Sequence, residues 1–376
     1  MPVNVRNTAH FNPSLGSPPG PPTAVTSVAA DAAATVSFLA PTDTGGLPIT
    51  QYVITPYIGA TPQTSTTVNV ASLGSVAGSD GNTYLQAQVS GLTNSTAYTF
   101  TVAATNSSGT GAASAASGEN TPLAGLVFGD DFNGSAGGPV DPEWWIYDRC
   151  GYLAQNEVQF YKPTHCVLDG NGNLKLTAEH VDTSGPRYPS DPSYPGTIIQ
   201  PWRSGACQTN TRLFTPTAGW TMTFEARFQV NAGAGSGYWP GLFWLEGQTY
   251  LNAWKTDPLQ EGWDSTGKAE IDVAEWFMTG SPDSYGNVSW AGTNEQTNIT
   301  GSGLSTSMHI YQALWKPGTS VVFKRDGATT ATHTGQVPAS GAQFFLLLYL
   351  QMLAGGATTT QSCLIDYVRV YDQNLG

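Results

Sequence analysis

Charge is what this chain has least of. Only 11% of its 376 residues are Asp, Glu, Lys or Arg, and 14 Lys and Arg against 27 Asp and Glu leave a formal charge of −13. With the isoelectric point near 4.6 and no basic patch to neutralise phosphates, a nucleic-acid partner is excluded. Long hydrophobic runs are missing too. The longest, FFLLLYL from Phe344 to Leu350, is far short of the roughly 20 residues that cross a bilayer, so no membrane insertion is expected. The opening MPVNVRNTAHFNPSLGSPPGPP has no apolar core segment and does not read as a signal peptide. Cysteine is scarce: Cys150, Cys166, Cys207 and Cys363 follow no CxxC spacing. With so few histidines beside them a zinc site is not expected, and no metal ligands are assigned. Two disulfides and four free thiols are both open, and the sequence does not choose among the three pairings. His10, His165, His180, His309 and His333 are scattered without a Ser or Cys partner pattern, which removes a Ser–His–Asp reading. No pattern for a helix longer than a turn or two appears.

What is present is turn residues, short alternating strands and aromatics: 43 Gly, 25 Pro, 11 Trp and 16 Tyr. Flat apolar rings in such number fill cores, and they also stack on sugar faces. The length allows two domains with their own cores. Residues 1–22 form a Pro/Gly-rich arm without periodicity. From 23 to 122 runs such as TVSFLAP, ITQYVITPYI, YLQAQVSGL and AYTFTVAATNSSGTG alternate between turns, as in a β-sandwich. At Leu123 the composition shifts toward Trp, Tyr and charge. Residues 123–376 then carry strand-length runs such as TMTFEARFQV, QFFLLLYLQM and CLIDYVRVY, the pattern of a larger two-sheet sandwich. The fold class is all-β.

The segment KAEIDVAEWF carries three acids, Glu270, Asp272 and Glu275, in an apolar strand where acids are normally depleted. Glu270 and Asp272 share a face, whereas Glu275 lies at an odd offset from Glu270. One β-bulge between Asp272 and Glu275 would bring all three together. Without it the strand has two acids on one face and one on the other. The bland alternative is a solvated strand edge or a cation site. Two carboxyl groups about 5–5.5 Å apart are what retaining cleavage of a glycosidic bond requires, and a third acid between them can keep the pair in different protonation states.

The first sandwich resembles a fibronectin type III domain. PPTAV, GGLPITQY, SGLTNSTAYTFTVAATNSSGTG and the closing TP carry the likeness. Tyr98 matches the family's tyrosine-corner position, and Phe38 stands where that family usually has Trp. Such domains are commonly spacers or docking modules.

The second sandwich is similar to family 16 glycoside hydrolases, concanavalin-like jelly rolls acting on β-glycans. AEIDVAE resembles their bulged acid motif in its laminarinase-like form. FGDDFNG with DPEWW, NEVQFY, LDGNGNLKLTAE, SGYWPGLFWL, FKRDG and LIDYVRVY fall in family order. The resemblance implies Glu270 as nucleophile, Glu275 as general acid/base and Asp272 as the residue that orients the pair. It implies Trp239, Trp244 and Trp276 lining a sugar cleft, with Asn156 and Glu157 near its floor and Gln351 where the family often has Asn. For Trp239 and Trp244, core packing is the alternative. Two departures stand out: Ser289 before Trp290 where relatives have His, and Ala206 where many have Arg. Both are expected to remove groups that contact sugar or tune the acids. No cofactor is implied, apart from a structural calcium seen in some relatives, for which Asp366 is the candidate beside an ordinary salt bridge.

The expected activity is a retaining endo-β-glycan hydrolase, 1,3-β-glucanase-like, on cell-wall or cell-surface polysaccharide. The alternatives are a lectin-like module that binds without cleaving, and a secreted bacterial β-glucanase lacking its signal peptide. The arrangement also resembles minor tail proteins of actinobacterial phages. In that setting the arm and first domain would dock to other tail proteins, and the chain would be extracellular or virion-associated.

Overall fold

The computed structural model describes residues 16–151, 157–186, 196–231, 238–247, 269–275, 284–291, 294–301, 304, 306–352 and 359–375. Strands carry the architecture. The helical segments among the described residues are two single 3-10 turns, Val70–Ser72 and Pro163–His165.

In the first unit, Thr23–Ala30, Ala33–Leu39, Thr83–Ser90 and Gly74–Ala77 pair in one layer. Gln51–Ile58, Thr99–Asn106 and Gly109–Ala113 form the other, with two short strands at its edge. Thr99–Asn106, and Gln51–Ile58 up to its exposed last residue, alternate between buried and half-buried positions, so each turns one face inward. Val36, Phe38, Tyr52, Ile54, Phe100 and Val102 meet there. Phe38 is fully buried with its ring centroid 4.8 Å from that of Tyr52, so phenylalanine fills the core site expected of tryptophan. Burial of such a ring contributes roughly 1.5–3 kcal/mol. The Tyr98 hydroxyl accepts a hydrogen bond from the Thr93 N–H at 3.1 Å, closing the expected corner. Residues 16–22 lie against this unit: Ser17 N–H donates to the Gly45 carbonyl at 3.0 Å. Gly45 has φ of +68°, and a Cβ there would fall 1.8 Å from the Ser17 oxygen, so only glycine permits this approach.

In the second unit one layer is a seven-stranded sheet. Its order is Trp144–Ile146, Ala206–Thr209, Phe344–Met352, Tyr238–Gly247, Ala269–Glu275, Ser284–Ala291 and Asn294–Thr300. The opposing layer centres on Gln361–Gln373, which pairs with Leu126–Asp130, Leu174–Pro186 and Thr221–Asn231. Phe344–Met352 is buried at every position, because both its faces are covered. Phe344, Leu346, Leu348, Leu350 and Met352 enter the core between the layers, while Phe345, Leu347 and Tyr349 join a smaller aromatic cluster on the far face. That double covering is why FFLLLYL reads as an unbroken apolar run. No helix among the described residues is long and apolar enough to cross a membrane. All four cysteines are buried.

The units are joined more tightly than a spacer requires. Ala29 pairs with Gly129, so the first unit's sheet continues into the outer layer of the second. Asp31 N–H donates to the Leu126 carbonyl at 2.7 Å, and Asn120 Nδ2 donates to the Gly129 carbonyl at 3.3 Å. Across the same junction Gln86 Nε2 reaches Glu143 at 3.0 Å and Asn210 Nδ2 reaches the Ala77 carbonyl at 2.6 Å.

Candidate active site

The acid strand Ala269–Glu275 is flanked on both sides. Toward Ser284–Ala291, Glu270 pairs with Trp290, Asp272 with Val288 and Glu275 with Gly286, with a register shift between Asp272 and Glu275. Toward Tyr238–Gly247, Glu270 pairs with Glu246, Asp272 with Trp244 and Glu275 with Gly241, again with an irregularity. The bulge that the spacing demands is therefore present. Its effect is visible in the core, where Ile271 and both Val273 and Ala274 pack between the layers. Two consecutive residues turn inward, and Glu275 returns to the face of Glu270 and Asp272. All three acids are buried, at 6%, 2% and 4% exposure for Glu270, Asp272 and Glu275.

Burial drives the pKa of Asp272 well above the ordinary carboxylate range, reinforced by the charges of Glu270, Glu275 and Glu246 and by a hydrogen bond to Glu270. The Asp272 and Glu270 carboxyls are in hydrogen-bond contact, and two carboxyls that close favour sharing a proton. Asp272 Oδ1 finds no partner among the described residues. Glu246 is a fourth acid that sequence reading passed over. It is 3% exposed and faces Glu270 directly across the pair. The signal was available: Glu246 lies two residues from Trp244, which gives it the same face in a strand.

Beside the acids lies a hydrogen-bonded floor. Glu157, 5% exposed, accepts bonds from Gln351 Nε2 at 2.7 Å, Gln159 Nε2 at 2.6 Å and the Tyr161 hydroxyl at 3.3 Å. Gly151 stands against this group, and a Cβ there would lie 2.5 Å from Glu157 Oε2. Tyr349 links floor to acids: after burial, the charge of Glu275 is the largest cause raising its pKa. Glu157 and Gln351 are thus brought together beside the acid strand. Trp244 is 6% exposed and sits edge-on to Tyr349 at 4.8 Å, so its ring belongs to the packed floor. The backbone of Trp239 pairs with Gln351; its side chain, Asn156 and Trp276 lie outside the described residues.

The two departures differ in consequence. Ser289 pairs with Ile271, a core residue, so it faces away from the acids and its substitution for His removes nothing from their side. Ser289 instead bonds His333 Nδ1 at 2.9 Å, while Thr297 bonds the other ring nitrogen at 3.0 Å. A serine–histidine contact does exist, contrary to the pattern read from the chain. Both residues are buried, and neither ring nitrogen is held by a carboxylate, so the contact is structural. Ala206 does face the floor, opposite Tyr349. Nearby Arg149, missed in the sequence, lays its guanidinium 4.7 Å from the Tyr147 ring and 5.3 Å from the Tyr161 ring. Those rings share a cluster with Ala206, so a cation reaches this floor from another strand. Asp366 is paired with Arg227, a cation that disfavours a calcium ion at that carboxylate.

Comparison with known proteins agrees with this architecture. Residues 17–119 match the fibronectin type III domain family. No curated protein sequence matches the chain. Among solved structures, the endo-1,3-β-glucanase of Streptomyces sioyaensis is similar at 25% identity and a TM-score of 0.52, over 66% of this chain and 97% of that one. The endo-β-1,3-glucanase of Pyrococcus furiosus is similar at 21% identity and a TM-score of 0.51, over 66% and 94%. A Z. galactanivorans protein solved with laminaritriose and laminaritetraose is similar at 19% and 0.50, over 66% and 99%. The protein is all-β, a fibronectin type III sandwich followed by a larger concanavalin-like jelly roll of the kind seen in endo-1,3-β-glucanases.

Proposed function

We propose that the second unit is a retaining endo-β-glycan hydrolase of the 1,3-β-glucanase type. The observation that carries this reading is the bulge, which places Glu270, Asp272 and Glu275 on one face of the inner sheet. Glu275 donates its proton to the glycosidic oxygen as the C–O bond breaks, while Glu270 attacks the anomeric carbon and forms a glycosyl ester. Water, deprotonated by Glu275, then attacks the same carbon and releases Glu270. Asp272 serves as the positioning acid: its hydrogen-bond contact with Glu270 lets the two carboxyls share a proton, which keeps one negative charge out of a crowded cluster. Trp239, Trp244 and Trp276 would bound the cleft, and Asn156, Glu157 and Gln351 would contact sugar at its floor. No cofactor takes part.

Reducing-end release from laminarin, lichenan, β-galactan and mycobacterial-type polysaccharide tests this. Release by the natural protein and none by Glu270→Gln is the expected result. A Glu270→Gln protein that still cleaves sinks the assignment. Ala206, at a position where the resemblance leads one to expect arginine, favours a second reading as a glycan-binding module. Equal retention on a β-glucan column by both proteins, with hydrolysis by neither, would establish it. The Ala/Thr/Gly-heavy, Lys-poor composition and the small-residue-rich first domain support a place in the tail of an actinobacterial phage. There the sandwich would grip or trim host-surface polysaccharide, and the first domain would contact other tail proteins. Mass spectrometry of purified virions checks this; a natural gene that encodes an upstream signal peptide would instead identify a secreted β-glucanase.

A further inference from the structure

The junction between the units forms a half-open pocket of about 100 Å³ lined by both of them. From the second unit come Asp130 and Asp141, and from the first Thr26 and Ser27. Asp130 is 6% exposed and Asp141 4%. Asp130 is held on both oxygens, by Phe132 N–H at 2.9 Å and by the Trp144 indole at 2.9 Å. Asp141 is held on one only: its Oδ1 accepts from Glu143 N–H at 2.9 Å, while its Oδ2 is buried with no partner among the described residues. The hydroxyls of Thr26 and Ser27 are buried and unpartnered in the same way. The Thr26 side chain stands beside the Asp141 carboxyl. No Lys, Arg or His lines the cavity, and the exposed Glu119 stands at its edge.

Unpaired buried polar atoms are costly, at roughly 1–3 kcal/mol each, more when charged, and a buried carboxylate needs a cation or a proton. We propose that this cavity is a binding site for a hard cation of the calcium class, with Asp141 as principal ligand, Asp130 as second carboxylate and the Thr26 and Ser27 hydroxyls from the first unit completing it. All donors are oxygens, which suits calcium and excludes soft metals. The volume leaves room for the ion and waters. Among the described residues no group of three or more His, Cys, Asp and Glu gathers to hold a metal; this site has two carboxylates and depends on hydroxyls from across the junction. It is therefore assembled only when the units are docked, and the ion ties them together. The inference is independent of the glycosidase reading.

Calorimetric titration of calcium chloride into the EDTA-treated full chain at neutral pH tests it, beside thermal unfolding with and without calcium. One ion per chain and an upward shift in Tm are expected. Asp141→Asn and Thr26→Val are expected to weaken binding at least about tenfold and to lose the Tm shift. If Asp141→Asn does not fold, Thr26→Val reads the same site from the other unit. No calcium heat and no shift in the natural protein overturns the proposal. Equal binding by both variants also overturns it, because the ion then sits elsewhere. A calcium-indifferent natural protein that gains stability on Asp141→Asn identifies a water-filled pocket with a neutral carboxyl, and likewise overturns it.

Discussion

The core of the first unit and the inner sheet of the second bury their side chains to different ends. In the first, Val36, Phe38, Ile54, Phe100 and Val102 form an apolar cluster, and buried polar groups such as Asn120 and Ser117 bond to backbone. In the second, the core-facing side of the inner sheet is equally apolar, but its far side buries Glu157, Glu246, Glu270, Asp272 and Glu275. Like charges crowded out of water lower stability. The first unit spends its sequence on holding shape, and the second holds a destabilised group of acids on a face that its apolar side stabilises. The comparison teaches where substitution should harm folding and where it should harm only chemistry.

The largest expected effect is on turnover. Glu270→Gln should remove it, and Glu275→Gln should lower it by about 10²–10⁴ with natural leaving groups. Neither should lower Tm, which reducing-end assays beside calorimetry would show. Phe38→Ala should do the reverse. A cost of about 3–5 kcal/mol should appear in denaturant unfolding of the first unit, with kcat on short oligosaccharides unchanged. A fall in kcat there would break the division.

Asp272→Asn should sharpen it. Because the folded-state pKa of Asp272 lies above its unfolded value, the folded protein holds the proton more tightly, and stability falls as pH rises above the ordinary carboxylate range. The variant should thus be more stable than the natural protein at neutral pH, and the difference should vanish below about pH 4. Each kcal/mol released is worth roughly 2–4 °C in Tm for a domain of this size, so a pH series of melting curves reads it. Tyr98→Phe, which removes one hydrogen bond in the first unit, should cost about 1 kcal/mol at every pH. The smallest effect belongs to Glu246→Gln: removing that charge should move the Asp272 titration down toward the usual range, observable by carboxyl NMR.

The strands were legible because period-two alternation and turn residues punctuate them, as in Gln51–Ile58 and Thr99–Asn106. The bulge was legible as one of two arrangements, because the odd offset of Glu275 from Glu270 needs an extra residue if the three acids are to share a face. What the chain hid is long-range. Arg149 lies far in sequence from Ala206, and only the fold brings it to the same aromatic cluster. Ser289 follows the phase of the core because its pairing with Ile271, set across two strands, decides its face. The pairing of the two sheets through Ala29 and Gly129 is invisible to pattern, since small residues at a close crossing leave no hydrophobic signature.

That crossing also fixes a load path. Ala29 and Gly129 join the first unit to the outer layer, whose strand Leu126–Asp130 is itself bonded to Gln361–Gln373. The acids stand on the far face of the other layer, beyond a sheet spacing of about 10 Å of packed apolar side chains. A torque applied through the first unit is therefore resisted by backbone hydrogen bonds in the outer sheet. The other junction bonds, Gln86 to Glu143 and Asn210 to Ala77, meet the inner sheet at its Trp144–Ile146 edge, and three strands separate that edge strand from the acids.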